Sequence, residues 1–411
     1  MPTHKGHEPE TIDLIVIGAG CAGLSLAGEL CKYEQNGEAP PKTLLIEPRS
    51  SYTTDRSWCY WEPTTLASPN DVDASWLSWS FSDSKQTFVH TLAQKWHYQY
   101  LNSGRFYRQR LAAINESHRV SVNLGESVQD VSQHNNGFRV RTNKAEYHCL
   151  KIVDTRPPTR KRLEQSLMLQ IFYGIEIEIP GSHSIDLRLA KVMSDMRSDK
   201  LGFKFNYVLP LSPRSLLVEI TRFTDRLIEP DDLRDETYQL ACDIVGSTQL
   251  SIIREERGIV PMGLPMRHAT LSPNPNISNR VLVGLGGGAA RPATGYAFQR
   301  LQRWAHDCAQ RLMEAGTLVT MQPDSRLVQW MDRVFLLTLK NNPQLGPKLF
   351  IALARRVRPV RLVRFLTDQA TVFDLIAIIA ALPVTPLLLT AFRDTKNQLV
   401  SLTGNPKCST T

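Results

Sequence analysis

Residues 12 to 47 constrain the fold more than any other stretch. They read Ile-Asp-Leu-Ile-Val-Ile-Gly18-Ala-Gly20-Cys-Ala-Gly23 and, after a further segment and a loop, Thr-Leu-Leu-Ile-Glu47. The apolar run 14–17 has the pattern of a buried parallel strand, the glycines turn it into a helix, and 43–46 supply a second strand. Gly18 permits the tight turn, Gly20 lets a pyrophosphate approach the backbone, and Gly23 lets helix pack on strand. The helix start offers N–H groups and a positive dipole end to phosphates. Glu47 sits where an acid accepts hydrogen bonds from a ribose hydroxyl. In this order the elements form a βαβ dinucleotide site.

A second glycine-rich stretch, Val281-Leu-Val-Gly284-Leu-Gly286-Gly-Gly288-Ala-Ala-Arg291-Pro292-Ala-Thr294-Gly295-Tyr296, repeats the order of strand, glycines and helix start. The pairing of the two stretches favours FAD over NAD as the resident cofactor. The second helix start then faces the flavin ring and stabilises negative charge on its reduced form. The alternative is a glycine-rich connector.

A chain of 411 residues can bury a large core and hold two or three structural units. Its first ten residues are polar and lack an apolar core segment, so no signal peptide is expected. Cysteines at 21, 31, 59, 149, 242, 308 and 408 form no Cys-x-x-Cys pair. A reduced cytosolic protein with no cysteine-based metal site is the simplest account. The net charge of +8 suits nucleic acid or an anionic membrane. No nucleic-acid module accompanies the arginines, and their distribution favours the membrane.

An aromatic-dense segment after Glu47 contains Trp58, Tyr60 and Trp61, followed by Trp76, Trp79 and Phe81. It packs rings onto a core or walls a flat or cationic ligand, and the sequence leaves both open. Residues 98–119 read as a helix, 120–131 and 137–147 as strands, and 150–154 as a strand returning to the first sheet. Pro157-Pro158 then marks a crossing into a second domain. Strands at 168–179, 189–193, 203–209 and 215–221 suggest an antiparallel substrate sheet. Within the last, Glu219 either faces solvent or faces an apolar cavity, where desolvation keeps it protonated and able to deliver a proton.

Residues 254–265 read as a rigid turn out of that domain. Residues 348–365 form a candidate basic amphipathic helix bearing Arg355, Arg356, Arg358, Arg361 and Arg364, kinked or divided at Pro359. Residues 375–392 carry no charge, but Pro383 and Pro386 interrupt them. That favours a segment buried in the protein or lying in a membrane interface over a transmembrane helix.

Several separated motifs together resemble the flavin-dependent lycopene β-cyclase family. Tyr173-Gly174-Ile-Glu176-Ile-Glu178 is similar to its Gly-x-Glu strand, and Met193-Ser-Asp195-Met-Arg197 to its Met-Asp-Trp-Arg segment. Leu217-Val-Glu219-Ile-Thr221 resembles Phe-Leu-Glu-Glu-Thr, Glu256-Arg-Gly-Ile-Val-Pro261-Met-Gly resembles the Ile-Pro-Met-Gly element, and Arg291 to Tyr296 resembles Pro-Ser-Thr-Gly-Tyr. Two departures stand out: Ile220 occupies the place of a second acid, and Asp195 is set apart by an inserted residue.

The resemblance implies an α/β chain with a Rossmann-like FAD-binding domain (11–60, 96–156, 275–318). An antiparallel β-sheet substrate domain (61–95, 157–274) and a C-terminal helical, membrane-facing region (319–396) complete it. It implies a redox-neutral isomerase that needs reduced FAD, with NAD(P)H as the reductant to consider. Lycopene or a related acyclic carotenoid would be cyclised to β rings, β-carotene forming via γ-carotene, with Glu219 as the acid. The candidate cofactor residues are Gly18, Gly20, Gly23, Glu47, Arg56, Asp154, Gly286, Gly288, Pro292 and Gly295; no metal ligands are expected. The expected location is cytoplasmic and peripheral to a membrane; the oligomeric state stays open. The competing expectation is an FAD-dependent monooxygenase or dehydrogenase acting on a polyene or other apolar substrate.

Overall fold

The computed structural model describes residues 12–63, 72–92, 96–179, 185–265 and 279–403, with side chains described to residue 396. The polar N-terminal ten residues and Cys408 lie outside the described residues. Strand Ile12–Ile17 pairs in parallel with Thr43–Glu47 and with Glu146–Asp154. Val120–Leu124 and Arg280–Leu282 extend the parallel part, and Val128–His134 with Gly137–Thr142 add an antiparallel hairpin. Leu14 and Val16 pack with helices Cys21–Gln35 and Phe298–Ala315, while Ile15 and Ile17 pack with Val140 and Ile152 on the other face. Burial on both faces explains the unbroken apolar run.

The second sheet runs in the order Ser251–Met262, Met168–Glu178, Ser215–Thr224, Gly202–Ser212, Leu189–Asp199, Ser78–Asp83, Thr87–Thr91. Only the pairing of Leu189–Asp199 with Ser78–Asp83 is parallel. Leu216, Val218 and Ile220 face helix Arg234–Val245, whereas Leu217 and Phe223 face the largest core. Side-chain alternation therefore turns Glu219 inward. The C-terminal helices Arg326–Asn341, Gly346–Arg356, Pro359–Leu366 and Val372–Ala381 close that core over Phe203, Phe205 and Phe223. Phe203 stacks on Phe350 with centroids 5.2 Å apart.

Three expectations are corrected. Residues 96–102 are a strand, and the helix is Ser103–Glu116; Trp96, Tyr98 and Tyr100 are buried at strand spacing. The aromatic-dense segment, a loop packing rings onto a core in one of its two readings, is instead the strands Ser57–Pro63 and Ala74–Trp76, which flank that strand in a three-stranded sheet. The expected turn at 254–265 is mostly the strand Ser251–Met262, paired with Met168–Glu178. It lies at the sheet edge, where Pro261, lacking an N–H, is tolerated.

The basic segment divides as its proline requires, into Gly346–Arg356 and Pro359–Leu366. Its arginines are not equivalent. Arg364 forms a two-point bridge at 2.6 and 2.8 Å to buried Asp374, with Arg361 3.6 Å away, whereas Arg355, Arg356 and Arg358 are exposed. No single helix among the described residues is long and apolar enough to cross a membrane. Val372–Ala381 and the segment Val384–Lys396 pass that test only as a pair bent by 107°.

Arg291 fastens the second glycine-rich stretch to these helices. It is 2% exposed, lies 3.3 Å from Asp332, donates to the Phe365 carbonyl, and sits 4.1 Å over the Phe365 ring. Burial raises the Asp332 pKa and Arg291 opposes that shift. Arg291→Met is expected to cost about 3–5 kcal/mol, because Asp332 is left uncompensated. Urea unfolding of the variant checks this; a change within about 0.5 kcal/mol would show the bridge to be incidental.

Candidate active site

A cleft of about 590 Å³ opens where the first sheet meets the second. Gly18 has φ +96°, and a Cβ there would lie 2.7 Å from Thr155 Oγ1. A Cβ on Gly23 would lie 2.1 Å from the Gly18 carbonyl oxygen, so helix and strand touch through that glycine. Gly20 differs: its nearest neighbour would be Arg49 at 3.9 Å, and it lines the cleft. It N-caps helix Cys21–Gln35 without a side-chain cap, leaving the helix start to a ligand. Arg49 and Arg56 line the same cleft. Open glycine backbone, a helix start and two guanidinium groups fit the pyrophosphate of a dinucleotide.

Glu47 is buried, accepts from the Ala19 N–H at 2.7 Å, and accepts from the Arg49 Nε at 2.8 Å. Burial opposes its ionisation, but these donors together hold its carboxyl below the ordinary range. Asp154 lies at the C-terminal end of its strand, bound to Arg156 at 2.6 and 2.9 Å. In the downstream stretch, the expected helix start at the glycines is a single 3-10 turn, Leu285–Gly287. The helix begins only at Phe298, capped by Ala297. Gly284 and Gly295, with φ +74° and +72°, carry the backbone to that point and line the cleft.

Glu219 lies at the inner end of the cleft. Burial pushes its carboxyl up to about 8, and the nearby Glu256 carboxylate pushes the same way. The Thr221 hydroxyl, donating at 2.6 Å, and the Arg254 guanidinium oppose the shift. The balance favours the protonated form near neutral pH. Beside it, Tyr207 and Tyr296 line both the cleft and a second cavity of about 170 Å³. Burial raises both phenols, so they stay protonated. The second cavity is walled by Trp61, Phe81, Phe205, Phe223, Phe335 and Phe365, and reaches Ile379, Val384 and Leu388 of the bent helix pair.

Of the residues singled out from the sequence, Gly20, Arg56, Gly295 and Glu219 line one cleft. Gly18 and Gly23 shape its floor, and Glu47 orders the loop beside it. Asp154, Gly286, Gly288 and Pro292 lie outside its lining. Asp195, with φ +49°, is exposed beside Arg197 and belongs to neither cavity. Sequence reasoning missed Arg49 and the Arg254–Glu256 pair. Residues 254–265 read as a rigid turn, and only strand alternation would have turned Arg254 and Glu256 inward.

The family model described as Lycopene cyclase protein matches residues 13–392. A lycopene beta-cyclase of Pantoea ananas is 26% identical over 294 residues, covering 70% of this chain and 71% of that protein. A lycopene beta-cyclase of Paracoccus sp. (strain N81106 / MBIC 01143) is 32% identical over 132 residues, 31% of this chain and 32% of that relative's length. A solved flavoprotein/dehydrogenase from Cytophaga hutchinsonii superposes with a TM-score of 0.55 at 12% identity, covering 95% of this chain and 100% of that one. The fold is thus the Rossmann-like fold of flavoproteins, with a C-terminal helical region.

Gly20 has extended backbone angles, and a methyl group there meets nothing closer than 3.9 Å. Gly20→Ala is expected to leave stability within about 0.5 kcal/mol while weakening dinucleotide binding on the order of tenfold. Fluorescence titration with FAD measures this; unchanged affinity would remove Gly20 from the phosphate site.

Proposed function

The chain belongs to the lycopene cyclase family, and from that premise we propose that it closes the ψ ends of lycopene or a related acyclic carotenoid into β rings. The observation that carries this reading is Glu219, a half-buried carboxyl pushed toward its protonated form in the dinucleotide cleft, beside the Tyr207 and Tyr296 that also line an aromatic-walled cavity. The cofactor that suits the cleft is FAD, held by the Gly20 backbone, the helix start at Cys21, Arg49 and Arg56 on one side and by Gly284 and Gly295 on the other. Bound and reduced, FAD would supply negative charge that stabilises a cation; NAD(P)H is the proposed source of its electrons.

Glu219 transfers its proton to the terminal double bond: the O–H bond breaks, a C–H bond forms, and a tertiary carbocation results. The neighbouring double bond attacks that centre and closes a six-membered ring, and loss of a ring proton restores neutrality. Substrate and product are isomers. Trp61, Phe205, Tyr207 and Tyr296 line the cavity, and aromatic faces attract a cation. The competing monooxygenase or dehydrogenase reading gives the neutral acid no task.

A carotenoid substrate resides in a bilayer, which supports a peripheral membrane location on the cytoplasmic side. Phe373, Phe392 and Leu388 are 74%, 79% and 60% exposed, an apolar surface of the kind that enters a lipid interface. Exposed Arg355, Arg356 and Arg358 supply the positive charge.

Glu219→Gln keeps shape and removes the proton, so turnover should fall by about 10²–10⁴-fold with FAD content unchanged. In the parent protein the working form is protonated, so turnover is expected to fall as pH rises through about 8. A rate that climbs through that range would mean the carboxylate is the working form. Replacing Arg355, Arg356 and Arg358 together by Glu should weaken binding to anionic vesicles by tenfold or more, at about 1 kcal/mol per charge. Vesicle sedimentation that is unaffected by the exchange and by salt would reject this surface.

A further inference from the structure

Glu219 and Glu256 are in register with the same residue. Gly174 pairs with Glu219 across one side of its strand and with Glu256 across the other. Directly opposed residues of antiparallel strands point to one face, so both carboxyls project on the same side, their backbones about 10 Å apart. A Cβ at Gly174 would lie 3.2 Å from Glu219 Cβ and 3.2 Å from Glu256 Cγ. The missing side chain leaves the space through which the two glutamates approach.

Glu256 is 2% exposed and held from one side. Arg254 donates to its Oε2 at 2.8 Å, while its buried Oε1 has no hydrogen-bond partner among the described residues. Arg254 is itself fixed by Glu176 at 2.6 Å, and by Ser57 and Tyr100 at 2.8 Å each. The other groups facing Glu219 are Thr221 on its own strand, Tyr207 on the next, and Cys59 on the three-stranded sheet. Burial raises the Tyr207 phenol and the Cys59 thiol, so both stay neutral. The charged neighbours are therefore Glu256, Glu176 and Arg254.

We propose that Glu256 is a positioning residue for proton transfer, a clamped anion that keeps the proton on Glu219 before ring closure and returns it there afterwards. The inference rests on the reading of Glu219 as the acid. When the Glu219 O–H breaks and a substrate C–H forms, two carboxylates face each other across Gly174. Their repulsion is relieved when the ring C–H breaks, its electrons form the new C=C, and the proton adds to Glu219. The site ends singly protonated, as it began, and no oxidant or reductant is consumed. Glu256 touches no substrate in this scheme, since Glu219 lines the cleft and Glu256 does not.

The test is Glu256→Gln in the FAD-loaded full chain. The alkaline limb of its pH–rate profile should move down by on the order of one pH unit, with activity kept on the acid side. An infrared titration without substrate, its carboxylic acid band assigned by loss in Glu219→Gln, should move by the same amount. Glu256→Asp, which keeps the charge, should move both by less, and it carries the test if the glutamine variant does not fold. A limb and band that stay in place would make Glu256 structural and overturn the proposal. A fully active Glu219→Gln would overturn the acid assignment as well, and is thereby distinguished from failure of this inference alone.

Discussion

A carboxyl group keeps its proton at neutral pH only where water is excluded and its charged neighbours disfavour ionisation. The half-buried Glu219 carboxyl is pushed toward its protonated form because its strand is central in a wide sheet whose two faces are covered by different layers, with Glu256 nearby. Helix Arg234–Val245 takes the side chains on one face; the glycine-turn domain and C-terminal helices close over the other. Alternation along Ser215–Thr224 then allows the glutamate only one direction. Arg254 bridges Glu176 and Glu256 within the sheet and reaches Ser57 and Tyr100 of the three-stranded sheet, while Arg291 with Asp332 ties the second glycine-rich stretch to the C-terminal helices. Burial that raises the acid also makes these bridges costly to break.

The nucleotide half of the fold was legible because its signal is local. Glycines that admit no side chain, at Gly18 and Gly23, leave a mark that does not depend on distant partners. Glu219 was legible only as a choice between solvent and cavity, and the covering layers decide it. The partner Glu256 was not legible at all. Its strand sits at a sheet edge, its neighbours Arg254, Glu255 and Arg257 suggest a solvated turn, and its nearness to Glu219 arises from two registers meeting at Gly174. Likewise residues 98–102 carry no breaker before Gly104, so the helix read from the sequence started early; pairing with Ser57–Pro63 makes them a strand.

The C-terminal region joins two demands. Its inner surface completes the aromatic cavity, while residues such as Ile379, Val384 and Leu388 both line that cavity and reach solvent. Pro383 separates the two helices of the bent pair, and Asp374, pulled down to about 2 by its bridge to Arg364 against the opposing effect of burial, fixes the first of them. Under the proposed function, this apolar helix pair beside the cavity is where a water-insoluble polyene would enter.

The central claim is that this flavoprotein fold has been turned to acid chemistry without net oxidation. The most direct measurement is anaerobic incubation of the FAD-loaded chain with lycopene in anionic vesicles, comparing reduced with oxidised flavin by chromatography and mass. The account predicts a product of unchanged mass, with the retention of a cyclised carotene, formed only with reduced flavin and without consuming it. A product that forms only once oxygen is admitted and is heavier by an oxygen atom, or one that has lost hydrogen, would contradict it.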